Sequence, residues 1–279
     1  MMITIYETIN KIRRIFDGKI TDSSNSIRYI ISEVLALPIP QIDFLKDEII
    51  NEKDYQRIMI CVKRRAKGEP LQYIFGKAYF RNLTLKVGKG VLIPRPETEL
   101  MVDEIIKRLP FNGVFCDIGT GSGAIAFAVA SERPDSKVFA SDISLKALKY
   151  ARINKRNLKI KNVYLRRASL FSAFKNKKFN VIASNLPYIK NSEIAKLPCE
   201  IRKYEPLKAL KGGEDGLQII RKFFFEAYRY SNKGTFVIAE VSPEQAVPLK
   251  HFLQEMDIYK NIVIIRDLSG KDRFVAAYI

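Results

Sequence analysis

The sequence predicts an α/β protein in which a doubly wound, seven-stranded mixed sheet follows a small N-terminal helical bundle. Apolar residues in roughly the first 75 positions recur at helical spacing. From Val114 onward, short apolar runs alternate with helical segments, as in a sheet whose strands are joined by helices. A glycine-rich turn at 119–123 connects the first of these runs to a helix.

Composition narrows the class of protein. In 279 residues with 47% hydrophobic content, no apolar run reaches the length of a membrane span, and residues 1–10 lack the regions of a signal peptide. We therefore expect a cytoplasmic protein with no membrane partner. The three cysteines are scattered without CxxC spacing, which argues against a disulfide framework or a metal site. The single histidine, His251, lies in a helix-like stretch and is expected to pack or face solvent.

Residues 1–75 are predicted to form a helical domain that recognises the substrate. Their apolar spacing is helical, and no group of residues typical of catalysis occurs among them. The expected helices run through Phe16, from the capping residues 21–26 to Leu35, and from about Glu52 to Arg65.

Residues 76–112 are predicted to form a hairpin and a linker helix. Apolar residues over 80–87 suggest short strands, and two glycines bracket the turn at 88–90. In Ile93-Pro-Arg-Pro-Glu-Thr-Glu99, two prolines fix an extended entry to a helix over 100–109. Composition alone favours a rigid linker here.

Residues 113–279 are predicted to carry the sheet, whose ligands would bind at the carboxyl ends of the strands. No helix separates the last two strands, so one of them is expected to run antiparallel. The strands are expected at 114–118, 137–141, 162–166, 179–184, 234–241, 260–266 and 273–278, and the helices near 123–131, 144–156, 216–230 and 244–254.

The turn at 119–123 suits a ligand with an anionic or polar group, because its glycines permit close approach and helix N–H groups follow. With Ala124 in the third glycine position, it also satisfies the dinucleotide fingerprint. Asp142 ends the second strand 23 residues after the first glycine, where a carboxylate accepts ribose hydroxyls of NAD or of S-adenosylmethionine. Asp117 favours S-adenosylmethionine, since it suits an ammonium group and would crowd a pyrophosphate.

The fourth predicted strand leads into Asn185-Leu-Pro-Tyr188. An amide oxygen and backbone carbonyls fixed at this point can hold a planar NH₂ group with its nitrogen towards an electrophile. An amide or arylamine nitrogen is a poor nucleophile, so orientation and stabilisation of the developing positive charge must supply much of the catalysis. A sulfonium methyl group is already activated, and a dedicated base is therefore unnecessary.

Further motifs accompany these residues: Glu69-Pro-Leu-Gln-Tyr73, Leu92-Ile-Pro-Arg-Pro-Glu-Thr-Glu99, Asp117-Ile-Gly-Thr-Gly-Ser-Gly-Ala124, Tyr204-Glu-Pro206 with Ala209-Leu210, Gly212-Gly-Glu-Asp-Gly216 and Asp267-Leu-Ser-Gly-Lys-Asp-Arg273. Together they resemble the protein-(glutamine-N5) methyltransferases of peptide chain release factors, the HemK/PrmC family. The resemblance extends from about residue 68 to the C-terminus. It implies a class I (Rossmann-like) S-adenosylmethionine-dependent methyltransferase domain behind a small helical domain. The implied substrate is the glutamine of the Gly-Gly-Gln motif of class 1 release factors.

The resemblance also implies roles for individual residues. Those implied to bind S-adenosylmethionine are Asp117, Gly119, Thr120, Gly121, Ser122 and Gly123 around its methionine part, Asp142 at the ribose, Leu170 at the adenine, and Asn185. Those implied to hold the glutamine for catalysis are Asn185 and the Leu186 carbonyl as acceptors, with Pro187 and Tyr188 shaping the slot. Those implied to lie beside the incoming substrate loop are Arg95, Pro96, Glu97, Thr98 and Glu99.

Three positions depart from the family pattern. Leu186 replaces the first proline of Asn-Pro-Pro-Tyr, Ser169 stands where the family usually has an acid, and Ser242 stands where a glycine is usual. We expect activity to survive all three changes.

An RNA or DNA adenine-N6 methyltransferase is the main alternative. Asn-Leu-Pro-Tyr is the form in RNA adenine dimethyltransferases, and the formal charge is +18, with twelve basic residues and no acid over 146–178. This basic segment is not interleaved with stacking aromatics, so a solvated face is favoured over a nucleic-acid contact. The motifs 93–99 and 204–206 also argue against this alternative, since the RNA enzymes do not resemble them.

Two further alternatives carry less weight. An NAD-dependent oxidoreductase would need a Tyr-x-x-x-Lys pair or a catalytic histidine, and neither is recognisable. A non-catalytic binding module would require that the donor fail to bind despite an intact 119–142. We expect a monomer.

Overall fold

The computed structural model describes residues 3–279. They form two compact units. The first comprises the chain up to Gly76 together with Pro198–Tyr204, and the second comprises Lys77–Leu197 and Glu205–Ile279. The sequence pattern did not indicate that a short segment of the later chain belongs to the first unit. Within residues 3–279, no helix is long and apolar enough to cross a membrane.

The first unit is mainly helical. Its elements up to Gly76 are β1 (Ile3–Thr4), α1 (Ile5–Phe16), α2 (Ser23–Leu35), α3 (Ile39–Ile42), β2 (Ile49–Ile50), α4 (Glu52–Ala66) and α5 (Leu71–Phe75). The three predicted helices are confirmed as α1, α2 and α4, and they contribute most of one apolar core that includes Phe16, Ile31 and Val62. The short elements were not predicted, because two to five residues contain too little of a repeat to be recognised.

Side-chain caps fix where two of these helices begin. Thr4 and Glu7 form a reciprocal capping box at α1. The Asn51 side chain accepts a hydrogen bond of 2.9 Å from the N–H of Asp54 at α4. At α2 only Thr21 and Asp22 of the expected capping stretch precede the helix, and Asp22 at the N-cap makes no side-chain capping bond.

Polar contacts tie Pro198–Tyr204 to the rest of the first unit. The buried Arg65 pairs with Glu200, and the Tyr204 hydroxyl donates to the Lys67 carbonyl oxygen over 3.1 Å. These contacts join residues far apart in the chain, which explains why local patterns did not reveal them.

The elements beyond Gly76 are β3 (Lys77–Phe80), β4 (Leu83–Lys86), α6 (Glu99–Arg108), β5 (Val114–Ile118), α7 (Ala124–Glu132), β6 (Lys137–Asp142), α8 (Leu145–Asn157), β7 (Val163–Arg167), β8 (Phe179–Ser184), β9 (Ile189–Lys190), α9 (Cys199–Tyr204, in the first unit), β10 (Lys211–Gly213), α10 (Gln218–Ala227), β11 (Ser231–Glu240), α11 (Pro243–Glu255), β12 (Lys260–Arg266) and β13 (Asp272–Tyr278). Short 3₁₀ turns occur at Pro96–Thr98, Asn191–Lys196, Leu207–Ala209 and Tyr228–Tyr230. All seven predicted strands of the sheet, the hairpin β3–β4 and the linker helix α6 are confirmed.

The sheet of the second unit is mixed, as predicted. Its seven strands lie in the order β12-β13-β11-β8-β5-β6-β7, and β13 runs antiparallel to both of its neighbours. Without β13, the order would be that of a dinucleotide-binding sheet. The reversed strand between β11 and β12 therefore argues against the NAD alternative.

Two apolar cores cover the two faces of this sheet. One core includes Met101 of α6 and Phe127 of α7, and the other includes Phe223 of α10 and Leu249 of α11. The chain proceeds outward from β5 in one direction and from β8 in the other, so the crevice of this sheet opens at their carboxyl ends. The candidate site lies along this edge.

Candidate active site

The glycine turn joins the carboxyl end of β5 to the start of α7. Gly119, Gly121 and Gly123 have φ angles of +79°, +59° and +90°. A Cβ atom at Gly123 would overlap the ring of Phe127. This position therefore requires glycine both for its backbone angle and for close packing.

Neighbouring elements hold the turn in place. The N–H groups of Gly119 and Thr120 donate to the Ser141 carbonyl oxygen over 2.8 and 2.9 Å. The buried Asn154 of α8 donates to the Ser122 carbonyl oxygen over 2.9 Å. The turn is thus fixed before any ligand binds.

Asp117 lies beneath this turn with its side chain fully buried. Its Oδ2 accepts hydrogen bonds from the Thr120 hydroxyl at 2.6 Å and the Ala126 N–H at 3.2 Å, whereas its Oδ1 has no partner among residues 3–279. Burial raises the pKa of Asp117 to about 7. An unpartnered buried carboxylate oxygen is suited to a cationic ligand group, which would favour its ionised form.

Asp142 ends β6 beside the same turn. Its two oxygens accept hydrogen bonds from the N–H groups of Gly121 at 2.9 Å and Ser144 at 2.7 Å. Burial raises its pKa. Each oxygen keeps a lone pair, so the carboxylate can still accept two neighbouring hydroxyls. Leu170, buried with its carbonyl oxygen 2.9 Å from the Ser141 hydroxyl, is fixed to the same strand.

Asn185 follows β8, and its amide is held by the side chains of Thr98 and Glu240. Its Nδ2 donates to Thr98 Oγ1 over 3.0 Å and to Glu240 Oε2 over 2.9 Å. The Thr98 hydroxyl donates to the same Glu240 oxygen over 2.6 Å, and the Tyr188 hydroxyl donates to Glu240 Oε1 over 3.2 Å. No donor among residues 3–279 bonds to its Oδ1, so this oxygen remains as an acceptor.

Strand register explains how these residues meet. Ala239 of β11 lies opposite Ser184 of β8 in a parallel pair, so the residues that follow, Glu240 and Asn185, are neighbours. Thr98, which the sequence placed beside the substrate loop, is only 4% exposed and belongs to this network. Of the same stretch, Pro96 and Glu97 are exposed.

The turn Asn185–Tyr188 is supported by Gln245 and by the segment 212–216. Gln245 of α11 donates to the Tyr188 carbonyl oxygen over 2.7 Å and to the Asp215 carbonyl oxygen over 3.1 Å. A Cβ atom at Gly212 would lie 2.8 Å from the Pro187 carbonyl oxygen, so the segment 212–216 packs directly on this turn.

Leu186 occupies the position of the missing proline and is buried. Its Cδ2 lies 3.0 Å from where a Cβ atom of Gly119 would stand. Packing against the glycine turn therefore constrains this residue in place of a proline ring.

Two further motifs are anchored by buried carboxylates. Glu205 accepts from the Arg95 guanidinium over 2.6 Å and from the Ile93 N–H over 3.4 Å, and so fixes the entry to the 3₁₀ turn at Pro96–Thr98. Asp267 accepts from Arg273 over 3.0 Å and from the turn between β12 and β13. Glu205 thus fixes the border of the site, and Asp267 fixes the turn between β12 and β13.

Sequence reasoning missed Glu240, Gln245 and Glu205 as residues of the site. Glu240 ends the fifth strand of the sheet in chain order, and a polar residue at the carboxyl end of a parallel strand was a usable signal. Gln245 and Glu205 act through contacts with chain segments 57 and 110 or more residues away, for which the sequence contains no local signal.

Two family models and several curated proteins match this chain. Residues 7–76 match the family described as PrmC N-terminal domain, and residues 111–275 match the family described as Methyltransferase domain. The release factor glutamine methyltransferase of Thermodesulfovibrio yellowstonii is 39% identical over 271 residues, covering 96% of each chain. The enzyme of the same name from Coxiella burnetii is 39% identical over 232 residues, covering 82% of each chain.

Solved structures show the same fold at low sequence identity. The hMettl16 catalytic domain, solved with the MAT2A 3'UTR hairpin 1, has a TM-score of 0.57 at 13% identity and covers 89% of this chain and 90% of its own. A methyltransferase from Pyrococcus furiosus has a TM-score of 0.51 at 18% identity and covers 80% of this chain and 97% of its own.

Proposed function

This chain belongs to the release factor glutamine methyltransferase family, and we propose that it methylates the side-chain amide nitrogen (N5) of the glutamine in the Gly-Gly-Gln motif of class 1 peptide chain release factors. The methyl donor is S-adenosylmethionine. The observation that carries the proposal is the amide of Asn185, which donates to Thr98 and Glu240 and whose Oδ1 accepts from no residue within 3–279, so that this oxygen can accept a substrate N–H.

The residues around the glycine turn fit the donor. Asp117 offers an unpartnered oxygen for its ammonium group, Asp142 offers two acceptors for its ribose hydroxyls, and Leu170 offers an apolar contact for its adenine. When bound, the donor supplies an electrophilic methyl carbon, whose bond to sulfur breaks with its electron pair left on sulfur as the bond to nitrogen forms.

The protein contributes orientation and electrostatics to the transfer. Asn185 Oδ1 and the Leu186 carbonyl oxygen would each accept one N–H of the glutamine amide, so that the nitrogen faces the methyl group. Pro187 and Tyr188 would shape the slot around that amide. As positive charge develops on the nitrogen, the two acceptors stabilise it, and the nitrogen then releases a proton to water.

We further assign residues 1–75 to recognition of the release factor, and Arg95, Pro96 and Glu97 to the border of the incoming loop. The enzyme would act as a monomer in the cytoplasm, where its substrate is made. The exposed positions of Pro96 and Glu97 and the anchoring of Arg95 by Glu205 support the assignment of the border.

Methyl transfer from labelled S-adenosylmethionine to a purified release factor tests the proposal. We expect label on the wild-type factor and none on its Gly-Gly-Gln→Gly-Gly-Ala variant. Bulk RNA in a parallel reaction tests the adenine-N6 alternative, which Asn185-Leu-Pro-Tyr188 favours by its form. Label on RNA alone would refute the proposed substrate.

A further inference from the structure

A buried carboxylate stands directly behind the amide of Asn185. Glu240 is 1% exposed, at the carboxyl end of β11, and it accepts hydrogen bonds from Asn185, Thr98 and Tyr188. Isolated carboxylates are costly to bury, and burial raises the pKa of Glu240. No described side chain makes an ion pair with it within 4 Å, although Arg273 lies near enough to lower its pKa.

These contacts determine which way the amide of Asn185 faces. The Thr98 and Tyr188 hydroxyls donate one hydrogen bond to each oxygen of Glu240, which is the pattern of an ionised carboxylate. Such a group can only accept, so the group that Asn185 turns towards Glu240 must be its NH₂. The opposite rotamer would place the amide oxygen against the carboxylate, which is repulsive in a buried setting. The orientation that leaves Oδ1 free is therefore set by Glu240.

The Glu240 carboxylate also makes Oδ1 of Asn185 a stronger hydrogen-bond acceptor. Hydrogen bonds in series polarise one another, so an amide that donates to a buried anion accepts more strongly at its oxygen. Oδ1 of Asn185 is the atom that would face the developing positive charge of the substrate nitrogen. Negative charge on Glu240 is thereby relayed towards that nitrogen without any transfer of a proton to Asn185.

We propose that Glu240 is a positioning residue for methyl transfer, which orients and polarises the amide of Asn185. The inference rests on the proposed function in so far as Asn185 holds the substrate. Glu240 does not contact the glutamine, and its effect on the rate passes through Asn185.

Kinetics of Glu240→Gln test the role of the charge. This substitution keeps the size of the side chain and an oxygen that can accept from Asn185 and Thr98, but it removes the negative charge. We expect kcat with the release factor to fall about 30- to 100-fold, while KM and the Kd for S-adenosylmethionine change less than threefold. A kcat within threefold of the wild-type value would overturn the relay of charge.

Tyr259→Phe is the matched control. It also removes one buried hydrogen bond in the second unit, from the Tyr259 hydroxyl to the Phe224 carbonyl oxygen. We expect it to lower Tm and to leave kcat unchanged. An equal loss of kcat in Tyr259→Phe and Glu240→Gln would assign the effect to stability and overturn the proposal.

A spectroscopic measurement separates this inference from the proposed function. In protein labelled with ¹⁵N-asparagine, the side-chain NH₂ signal of Asn185 is assigned by its absence in Asn185→Ala. We expect Glu240→Gln to shift this signal and to speed its exchange with water, and Tyr259→Phe to leave it unchanged. An unaltered Asn185 signal in Glu240→Gln would overturn the proposal whatever the substrate is, whereas failure to methylate any release factor would refute only the proposed function.

Discussion

At the scale of single residues, the polar groups of the site divide into those with spare hydrogen-bonding capacity and those without. Asp117 Oδ1 and Asn185 Oδ1 are acceptors left over after the protein's own contacts are made. Thr98 and Glu240, in contrast, make their hydrogen bonds to other residues of the site: Thr98 donates to Glu240, and Glu240 also accepts from Tyr188. Ligand contacts are therefore assigned to the first pair and support to the second.

Asn185→Ala removes one acceptor for the substrate amide and leaves the glycine turn untouched. We expect kcat to fall at least about 100-fold, with the Kd for S-adenosylmethionine changed less than about threefold. Steady-state kinetics and calorimetric titration of the donor measure the two effects. If donor binding falls as much as turnover, Asn185 is a donor ligand and not a substrate acceptor.

Asp117 makes the stability of the donor-free protein depend on pH. A carboxyl group in the unfolded chain ionises near pH 4, whereas Asp117 in the folded protein ionises near pH 7 because of burial. Between these values the folded state holds a proton that the unfolded state has lost, so stability falls as the pH rises through this window.

We expect Tm of the wild-type protein relative to Asp117→Asn to fall between pH 5 and pH 7.5. Scanning calorimetry at several pH values measures this difference. S-adenosylhomocysteine, which keeps the ammonium group, should recover more of the loss at pH 7.5 than at pH 5. A pH dependence that is the same in both proteins would mean that Asp117 does not ionise in this range.

At the scale of elements, the site depends on segments that support each other across long stretches of chain. The turn Asn185–Tyr188 rests on the loop 212–216, and Gln245 at the start of α11 joins both by donating to a carbonyl oxygen of each. A substitution in the segment 212–216 can thus impair the site even though no ligand contact is assigned to this segment.

Gly216→Ala tests this support. Gly216 has a φ of +79°, and a Cβ atom there would overlap the Tyr188 carbonyl and the Gln245 amide. We expect a loss of about 1–3 kcal/mol in the free energy of unfolding together with a clear fall in kcat.

Gly234→Ala is its control, because Gly234 has a similar φ of +87° but no atom within 4 Å of the added Cβ. Gly234→Ala should lower the free energy of unfolding by the smaller amount that the positive φ alone costs an alanine, and it should leave kcat unchanged. Equal effects on kcat in the two variants would argue against a role for the loop in holding the turn.

At the scale of the whole molecule, positive charge is unevenly distributed. Of the formal charge of +18, +12 falls within 146–178. Among residues 3–279, none of these twelve cations forms an ion pair. At the C-terminal end of α8, an open depression of about 510 Å³ is lined by Arg152, Lys155, Arg156, Lys159, Ile160 and Lys161.

We expect the basic face that α8 presents within 146–178 to be solvated and dispensable for methyl transfer. Lys149→Glu, Arg152→Glu and Arg156→Glu combined should leave kcat and KM for the release factor within threefold of the wild-type values at 0.15 M salt. In a companion assay, the binding of the wild-type protein and of the triple variant to immobilised RNA is measured over a range of salt concentrations. A large rise in KM would show instead that the basic face contacts the substrate.

The sequence by itself determined the main helices and strands and the class of methyl donor. Alternation of apolar runs with helical stretches predicted all seven strands of the sheet and the reversal of one of them, because burial imposes these periods on any such chain. The glycine turn, Asp142 and Asn185 were recognised as candidates because each lies at the carboxyl end of a strand.

Tertiary structure alone decided how the amide of Asn185 is held. Thr98, Asn185 and Glu240 come from three separate stretches of chain, and their meeting follows from the pairing of β11 with β8 and from the burial of Thr98. The association of Pro198–Tyr204 with the first unit was likewise invisible in the sequence. Local periodicity reports which face of an element is buried, whereas contacts between distant elements depend on register and packing that no single stretch encodes.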